Sequence, residues 1–405
     1  MNDSGKISNA YDRFIPHGLL ELLGKKDIAK IELGDNVEKR ITILFSDIRN
    51  FTSMSESLTP QENFNFINAY LCQMDPIVSI NNGVIGKFIG DAIMAIFPEG
   101  IEDAYKCSLG MLKQLKVYNE GRIKAGYQPI EIGIGLNTGL AMIGTVGGPD
   151  RMDGTVISDA VNLCSRIESL TKSYKIELLI GEDTYNDLSP ERKKYTRFVD
   201  RVLVKGKLKQ QSIYEVFEMD DEHVREHKCN SKDVFEEALA NYHYGEIDIA
   251  KQLLEECLTG NVNDEPLKIY LDRCKKYLVT GHHESDCLLS DRVIWSDQFL
   301  LGHELIDTQH RKLVEGSLAL IEAVEQEIES EEINKRALEF AENARIHFKT
   351  EESILAKLGY PFLGFQEQQH NRFMTSFSYL ADELSNKSTS RIFRMFKIQI
   401  FLIDW

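Results

Sequence analysis

The apolar pattern of this 405-residue chain changes period once, close to residue 218, and that change decides what the chain can fold into. Before it, short apolar runs rich in β-branched residues alternate with stretches of helical spacing; after it, helical spacing continues alone. Strand-like runs interleaved with helices build a sheet covered by helices, whereas 3.6-period spacing alone builds a helical array. Two architectures therefore share one chain, as its length also demands, because a single core rarely grows beyond about 300 residues.

In the first part, from Arg40 to Phe217, the runs ITILFSD, GVIGKFIGDAIMAIF and IEIGIGLNTG read as strands. Between them PQENFNFINAYLCQMDPIVSINN and IEDAYKCSLGMLKQLKVYNE carry helical spacing, as does SDAVNLCSRIESLTKSY, with Ser158 placed to cap its N-terminus. This predicts an α+β domain over residues 39–218. Residues 1–38 read as a connector in which Ile15, Leu19, Leu20, Leu22 and Leu23 line one short amphipathic helix. Residues 232–280 form three helical stretches broken by Gly or by an Asn/Asp/Pro cluster, a tetratricopeptide-like pair with a trailing helix. One such unit buries little by itself, so it is expected to dock on a neighbour. HHESDCLLSD reads as a linker, and residues 290–405 have the spacing of a helical bundle, with Leu313, Val314, Leu318, Ile321, Val324 and Ile328 on its core side.

A formal charge of −17 argues against nucleic acid as a partner, since a phosphate backbone requires a basic surface. An anionic substrate must then meet local cations or metal. Seven scattered cysteines without a CxxC pair fit a reducing, cytoplasmic compartment, and no apolar run approaches a membrane span.

The candidate chemistry of the first domain begins with two carboxylates. FSDIRNFT puts Asp47 at the end of a buried strand, and GKFIGDAIMAIF puts Asp91 in a Gly-Asp turn between two strands. Either alone reads as an ordinary turn residue. Together, on strand ends, they make an oxygen cage suited to Mg²⁺ and a nucleotide. On a following predicted helix, Asn162 and Arg166 are four apart and share one side. Taken alone, Arg166 is as well explained by a surface pair with Glu168 or Asp159.

Both acidic motifs, in this order and at this spacing, resemble the metal-binding segments of class III adenylyl and guanylyl cyclases, over roughly residues 38–217. The resemblance implies a ferredoxin-like βαββαβ core, paired head to tail in a homodimer so that each active site is shared. It implies that Asp47, the Ile48 carbonyl and Asp91 hold two Mg²⁺ or Mn²⁺ ions. It implies further that Asn162 orients the ribose and Arg166 stabilises charge on the α-phosphate. Lys87 and Thr155 fall on the purine-selecting positions, where this pair fits adenine and guanylyl cyclases usually carry Glu and Cys. Arg151 and Lys205, with Lys207 as an alternative, are candidates for the β- and γ-phosphates. The implied reaction converts ATP to 3′,5′-cyclic AMP and pyrophosphate; a guanylate cyclase is the alternative.

In the bundle, His347 and Glu351 are four apart, a spacing that in most helices is a surface ion pair. The ordered set of Ile-Asp before His310, Glu-Glu after His347, and His370 resembles bacterial hemerythrins, four-helix bundles with a di-iron site. The resemblance places His310, His347, Glu351 and His370 on ligand positions and makes Glu351 a bridging carboxylate. Gln366 stands where the family has a His, and the family's last His and Asp ligands follow a Trp such as Trp405, which implies a truncated bundle. His303 reads as an ordinary polar residue. The expected role is regulation of the cyclase by oxygen, redox state or iron; the alternative is an iron or oxygen binder with an inactive cyclase domain.

Overall fold

The computed structural model describes residues 17–25, 30–148, 151–203, 210–258, 263–282, 295, 297–385 and 389–404. They divide into two compact units, one comprising Met1–Cys229 with Asn263–Pro266, the other Asn230–Val262 with Leu267–Trp405.

In the first unit the elements run α1 (His17–Leu22), β1 (Asn36–Ile48), α2 (Phe51–Glu56), α3 (Pro60–Ile80), β2 (Val84–Ile89) and β3 (Ala92–Phe97). Then come α4 (Ile101–Lys124), β4 (Ile132–Gly148), β5 (Arg151–Ile157), α5 (Asp159–Tyr174), β6 (Leu178–Gly181), α6 (Glu182–Asp187), α7 (Pro190–Lys193), β7 (Thr196–Leu203) and β8 (Gln210–Val216). The sheet order is β2-β3-β1-β4-β6-β8-β7, with β5 paired to β4. β1, β2, β3 and β4 pair antiparallel throughout, which with α3 and α4 is the ferredoxin-like split βαβ arrangement. β6 joins parallel to β4 and starts the extension through β8 to β7.

Six consecutive residues of β1, from Ile41 to Ser46, are buried, so both faces of this central strand are covered. On one face Ile41, Ile43 and Phe45 pack with Cys164 of α5, and Leu22 of α1 adds to that cluster. On the other lie α3 and α4, the latter touching β1, β3 and β4. α3 starts at a complete capping box between Thr59 and Glu62 with Pro60 in its first turn, which satisfies backbone N–H groups that a helix start leaves orphaned. α5 starts as its sequence predicts: the Ser158 hydroxyl accepts from Ala160 N–H at 2.8 Å. α5 sits directly on β4 because β4 presents Gly133 and Gly135 beneath it. A Cβ on Gly135 would stand 2.5 Å from the backbone nitrogen of Glu168.

The sheet starts earlier than its apolar run suggests. β1 begins at Asn36, inside the expected connector, because Asn36–Arg40 pairs with Leu140–Gly144 even though these residues alternate exposed and half-buried.

The helical part also begins sooner than residue 232, with α8 (Glu222–His243) following β8 closely. The second unit takes up the rest of α8 with α9 (Ile247–Cys257), α10 (Glu265–Thr280, apart from its first two residues), α11 (Glu304–Glu325), α12 (Ser330–Lys357), α13 (Leu363–Ser385) and α14 (Arg391–Asp404). The last four form a ring, each touching the next and α14 touching α11. Its core includes Leu313, Leu320, Val324, Phe340, Phe348, Phe373, Phe377 and Ile398. α14 is buried on more than one side: Ile398 faces that core, while Phe396 stacks on His243 and the Tyr244 hydroxyl meets Gln399 Oε1 at 2.8 Å. The C-terminal end of α8 thus meets α14 inside one unit. Among the described residues, no helix is long and apolar enough to cross a membrane.

Candidate active site and histidine cluster

β1 delivers Asp47 at its last turn of pleat, and the two-residue β2–β3 loop, with Gly90 in the left-handed region at φ 66°, delivers Asp91 beside it. The Ile48 N–H donates to Asp91 Oδ2 at 3.2 Å, which ties the loop to the strand end. Burial pushes the Asp91 carboxyl up to about 7, and the Asp47 carboxyl adds to the rise by hydrogen bond and by charge. Glu168 of α5, also pushed up to about 7, owes this first to burial and then to the charge of Asp47. Three acids thus crowd one strand end. Two half-buried carboxylates with only oxygen ligand atoms, the first raising the cost of ionising Asp91, fit a hard divalent cation that removes that cost.

Lys87 of β2 pairs with Asp153 of β5, Nζ to Oδ2 at 3.3 Å. Thr155 is two residues further along β5, on the same face, and opposite Gly144 of β4. The expected base-selecting residues therefore sit on strands that touch. Asn162 is exposed on α5 and Arg166, one turn on, is half-buried. Its Nη1 is buried without a hydrogen-bond partner among the described residues. The Arg151 side chain, Lys205 and Lys207 lie outside what the structure describes.

Sequence reasoning missed Arg49 and the acidic role of Glu168. Arg49 directly follows Ile48 in FSDIRNFT and Glu168 lies two residues past Arg166, but nothing local marks their partners. A cavity of about 470 Å³ beside this region is lined by Arg49, Asn50, Glu131, Lys172, Lys175 and Glu177 among others. It is a mixed-charge polar cleft, and Asp47 and Asp91 do not line it.

In the second unit the four residues singled out in the bundle come together. His347 and His370 approach the same carboxylate, with Nε2 atoms 3.8 and 3.2 Å from Glu351 Oε2. The His310 and His347 rings are 4.7 Å apart. The other ring nitrogens are engaged: His310 Nδ1 with Phe299 O at 2.7 Å, and His370 Nδ1 with Glu352 Oε1 at 2.8 Å. Gln366 also reaches the cluster, its amide donating to Glu351 Oε1 at 3.3 Å. Burial and the neighbouring His310 push His347 down to about 4. Burial opposes the charged form of His370, yet Glu351 and Glu352 hold its pKa above the ordinary value, and the hydrogen bond from His370 lowers Glu351. Among the described residues, no group of three or more His, Cys, Asp or Glu is arranged to hold a metal ion. His303 caps the start of α11, as an ordinary polar residue does.

Residues 35–217 match the family model described as the adenylate and guanylate cyclase catalytic domain. An adenylate cyclase of Anabaena cylindrica is 42% identical over 221 residues, which are 53% of this chain and 44% of that protein. The terminal-differentiation-specific adenylate cyclase of Dictyostelium discoideum is 34% identical over 280 residues, 68% of this chain and 13% of that protein. The chain thus spans less than half the length of these curated relatives. The crystal structure of the adenylyl cyclase CyaB from P. aeruginosa is 34% identical, covering 45% of this chain and 95% of that one, with a TM-score of 0.40.

Proposed function

Starting from residues 35–217 as an adenylate and guanylate cyclase catalytic domain, we propose that this chain is an adenylate cyclase that converts ATP to 3′,5′-cyclic AMP and pyrophosphate. The observation that carries the reading is the convergence of Asp47 and Asp91 at one strand end. The names of the two relatives above support the choice of ATP, as does the pair Lys87 and Thr155.

Asp47, the Ile48 carbonyl and Asp91 would hold two Mg²⁺ or Mn²⁺ ions, which supply neutralisation of the triphosphate and a more acidic ribose 3′-hydroxyl. That hydroxyl gives up its proton to solvent water as its oxygen forms a bond to the α-phosphorus, the bond to the bridging α–β oxygen breaks, and pyrophosphate leaves. Asn162 and Arg166 reach the site from a second copy of the chain. Asn162 orients the ribose, and the guanidinium of Arg166, always charged and placed beforehand, meets the charge that grows on the α-phosphate. Lys87 and Thr155 read the adenine edge, and Arg151 and Lys205 bind the outer phosphates.

Purified chain with ATP and Mn²⁺ or Mg²⁺ should yield cyclic AMP in preference to cyclic GMP from GTP, and Asp47→Ala should remain folded and lose the activity. Turnover retained by Asp47→Ala removes the assignment, and preferred GTP use converts it to a guanylate cyclase.

The bundle we read as a hemerythrin-like regulatory element, on the approach of His347 and His370 to Glu351. His310, His347, Glu351 and His370 would have to draw closer together than they stand to hold iron; iron bound there would let oxygen or redox state bias the cyclase. A visible absorption band after iron loading in air is expected; a colourless protein with equal cyclase rates in air, under nitrogen and after iron chelation removes this reading.

A further inference from the structure

Arg49 stands at a junction that the active-site reading does not use. Its backbone N–H donates to Glu131 O at 2.9 Å, continuing the β1–β4 ladder one residue past Ile48. Its side chain, 13% exposed, turns toward the far end of α5. There Nη2 donates to Ile176 O at 2.6 Å and to Thr171 O at 3.2 Å. Thr171 is in the last turn of α5, where Lys175 closes the helix in the left-handed conformation at φ 53° and Ile176 leads into β6. The Thr171 carbonyl already accepts from Ile176 N–H at 2.9 Å, so the buried guanidinium acts there mainly as positive charge against the partial negative charge of the helix C-terminus, while it bonds the Ile176 carbonyl directly. Glu168, Glu131 and Glu177 add favourable charge around it.

The consequence concerns what the tie joins. One end is the backbone immediately after Asp47 and Ile48; the other is the helix that carries Asn162 and Arg166. Under the proposed shared-site reading, on which this inference rests, those two groups of one chain serve different active sites of a dimer. We propose that Arg49 is a positioning residue for both: it fixes the acidic strand end of its own site and, through α5, the Asn162 and Arg166 that its chain contributes to the other site. The two half-sites of a protomer are thereby held as one body, resting on the close α5–β4 contact at Gly133 and Gly135.

The test uses mixed dimers of the full chain. A mixture of Asp47→Ala and Arg166→Ala chains has active dimers only where the two chains pair, and there only in the site built from the acids of the Arg166→Ala chain and the α5 residues of the Asp47→Ala chain. Arg49→Ala is then placed in one chain or the other. If Arg49 positions both half-sites, the rate in the surviving site falls in both placements, by roughly tenfold or more, in kcat rather than in KM for ATP. Arg49→Lys, which keeps charge and donors, should recover part of it in both. A fall only when Arg49→Ala is in the chain supplying the acids, or no fall in either, overturns the inference while the shared-site reading stands. Should the parent mixture itself be inactive, the shared-site reading fails and takes the inference with it. If Arg49→Ala does not fold, as circular dichroism will reveal, Arg49→Lys and Arg49→Gln in the same two placements carry the same discrimination.

Discussion

Substituting Gly135 by Ala probes the packing on which the candidate site depends. Gly135 lies in β4 opposite Phe45 of β1, and beneath α5. A new Cβ would meet Glu168 N at 2.5 Å, and Cys164 O and Glu168 Cα at 2.9 Å. All three atoms belong to helix backbone, so no side-chain rotation relieves the contact. α5 must lift by about 1 Å to restore ordinary van der Waals distances, and overpacking of this kind costs roughly 1–3 kcal/mol. For a unit of this size the melting midpoint should fall by roughly 2–4 °C per kcal/mol, so about 2–12 °C in all. The catalytic effect should be the larger one, because α5 carries Asn162 and Arg166, and a displacement of about 1 Å at a reacting centre can cost on the order of a hundredfold in rate. Thermal melts followed by circular dichroism, with cyclic AMP formation measured well below the midpoint, check both halves. A Gly135→Ala protein that melts and turns over like the wild type would refute the argument that this glycine sets the position of the helix.

Arg197 and Asp264 are both almost wholly buried and joined by two bonds of 2.7 Å, with Glu215 Oε2 at 2.6 Å from Arg197 Nε. Asp264→Ala leaves a buried guanidinium short of charge and should cost roughly 3–5 kcal/mol in urea unfolding; a change below about 1 kcal/mol would contradict the pairing. Glu168 holds its proton in the folded chain up to about 7 against an ordinary value of 4.5, so ionising it costs the folded state as pH rises through that window. In chelator, wild-type stability relative to Glu168→Gln should therefore fall between pH 5 and pH 8, and urea midpoints that differ equally at both would show that the carboxyl is not perturbed.

Much of this was legible in one dimension. The change of period near residue 218 separated sheet from helices, the β-branched runs located β1 to β4, and Ser158 announced the start of α5, because periodicity and caps are local properties of adjacent residues. Asp47 and Asp91 could be named because strand ends and a Gly-Asp turn are local too. The short β6, only four residues long, was not marked, since it is held by β4 and β8, distant in sequence, rather than by a pattern of its own; β5 pairs back on the end of β4 just before it, but its run RMDGTVI carries no regular alternation.

What tertiary structure alone decided is which distant groups share an environment. Asp264, read as part of a helical segment, is the buried partner of Arg197, 67 residues earlier, and belongs to the sheet-containing unit. Glu168 became a third acid, and Arg49 a clamp on α5, only once β1 and that helix lay side by side. A sequence fixes a residue's charge and its local conformation; the cost of burying that charge, and the partner that offsets it, exist only after the chain has brought far-separated segments out of water together.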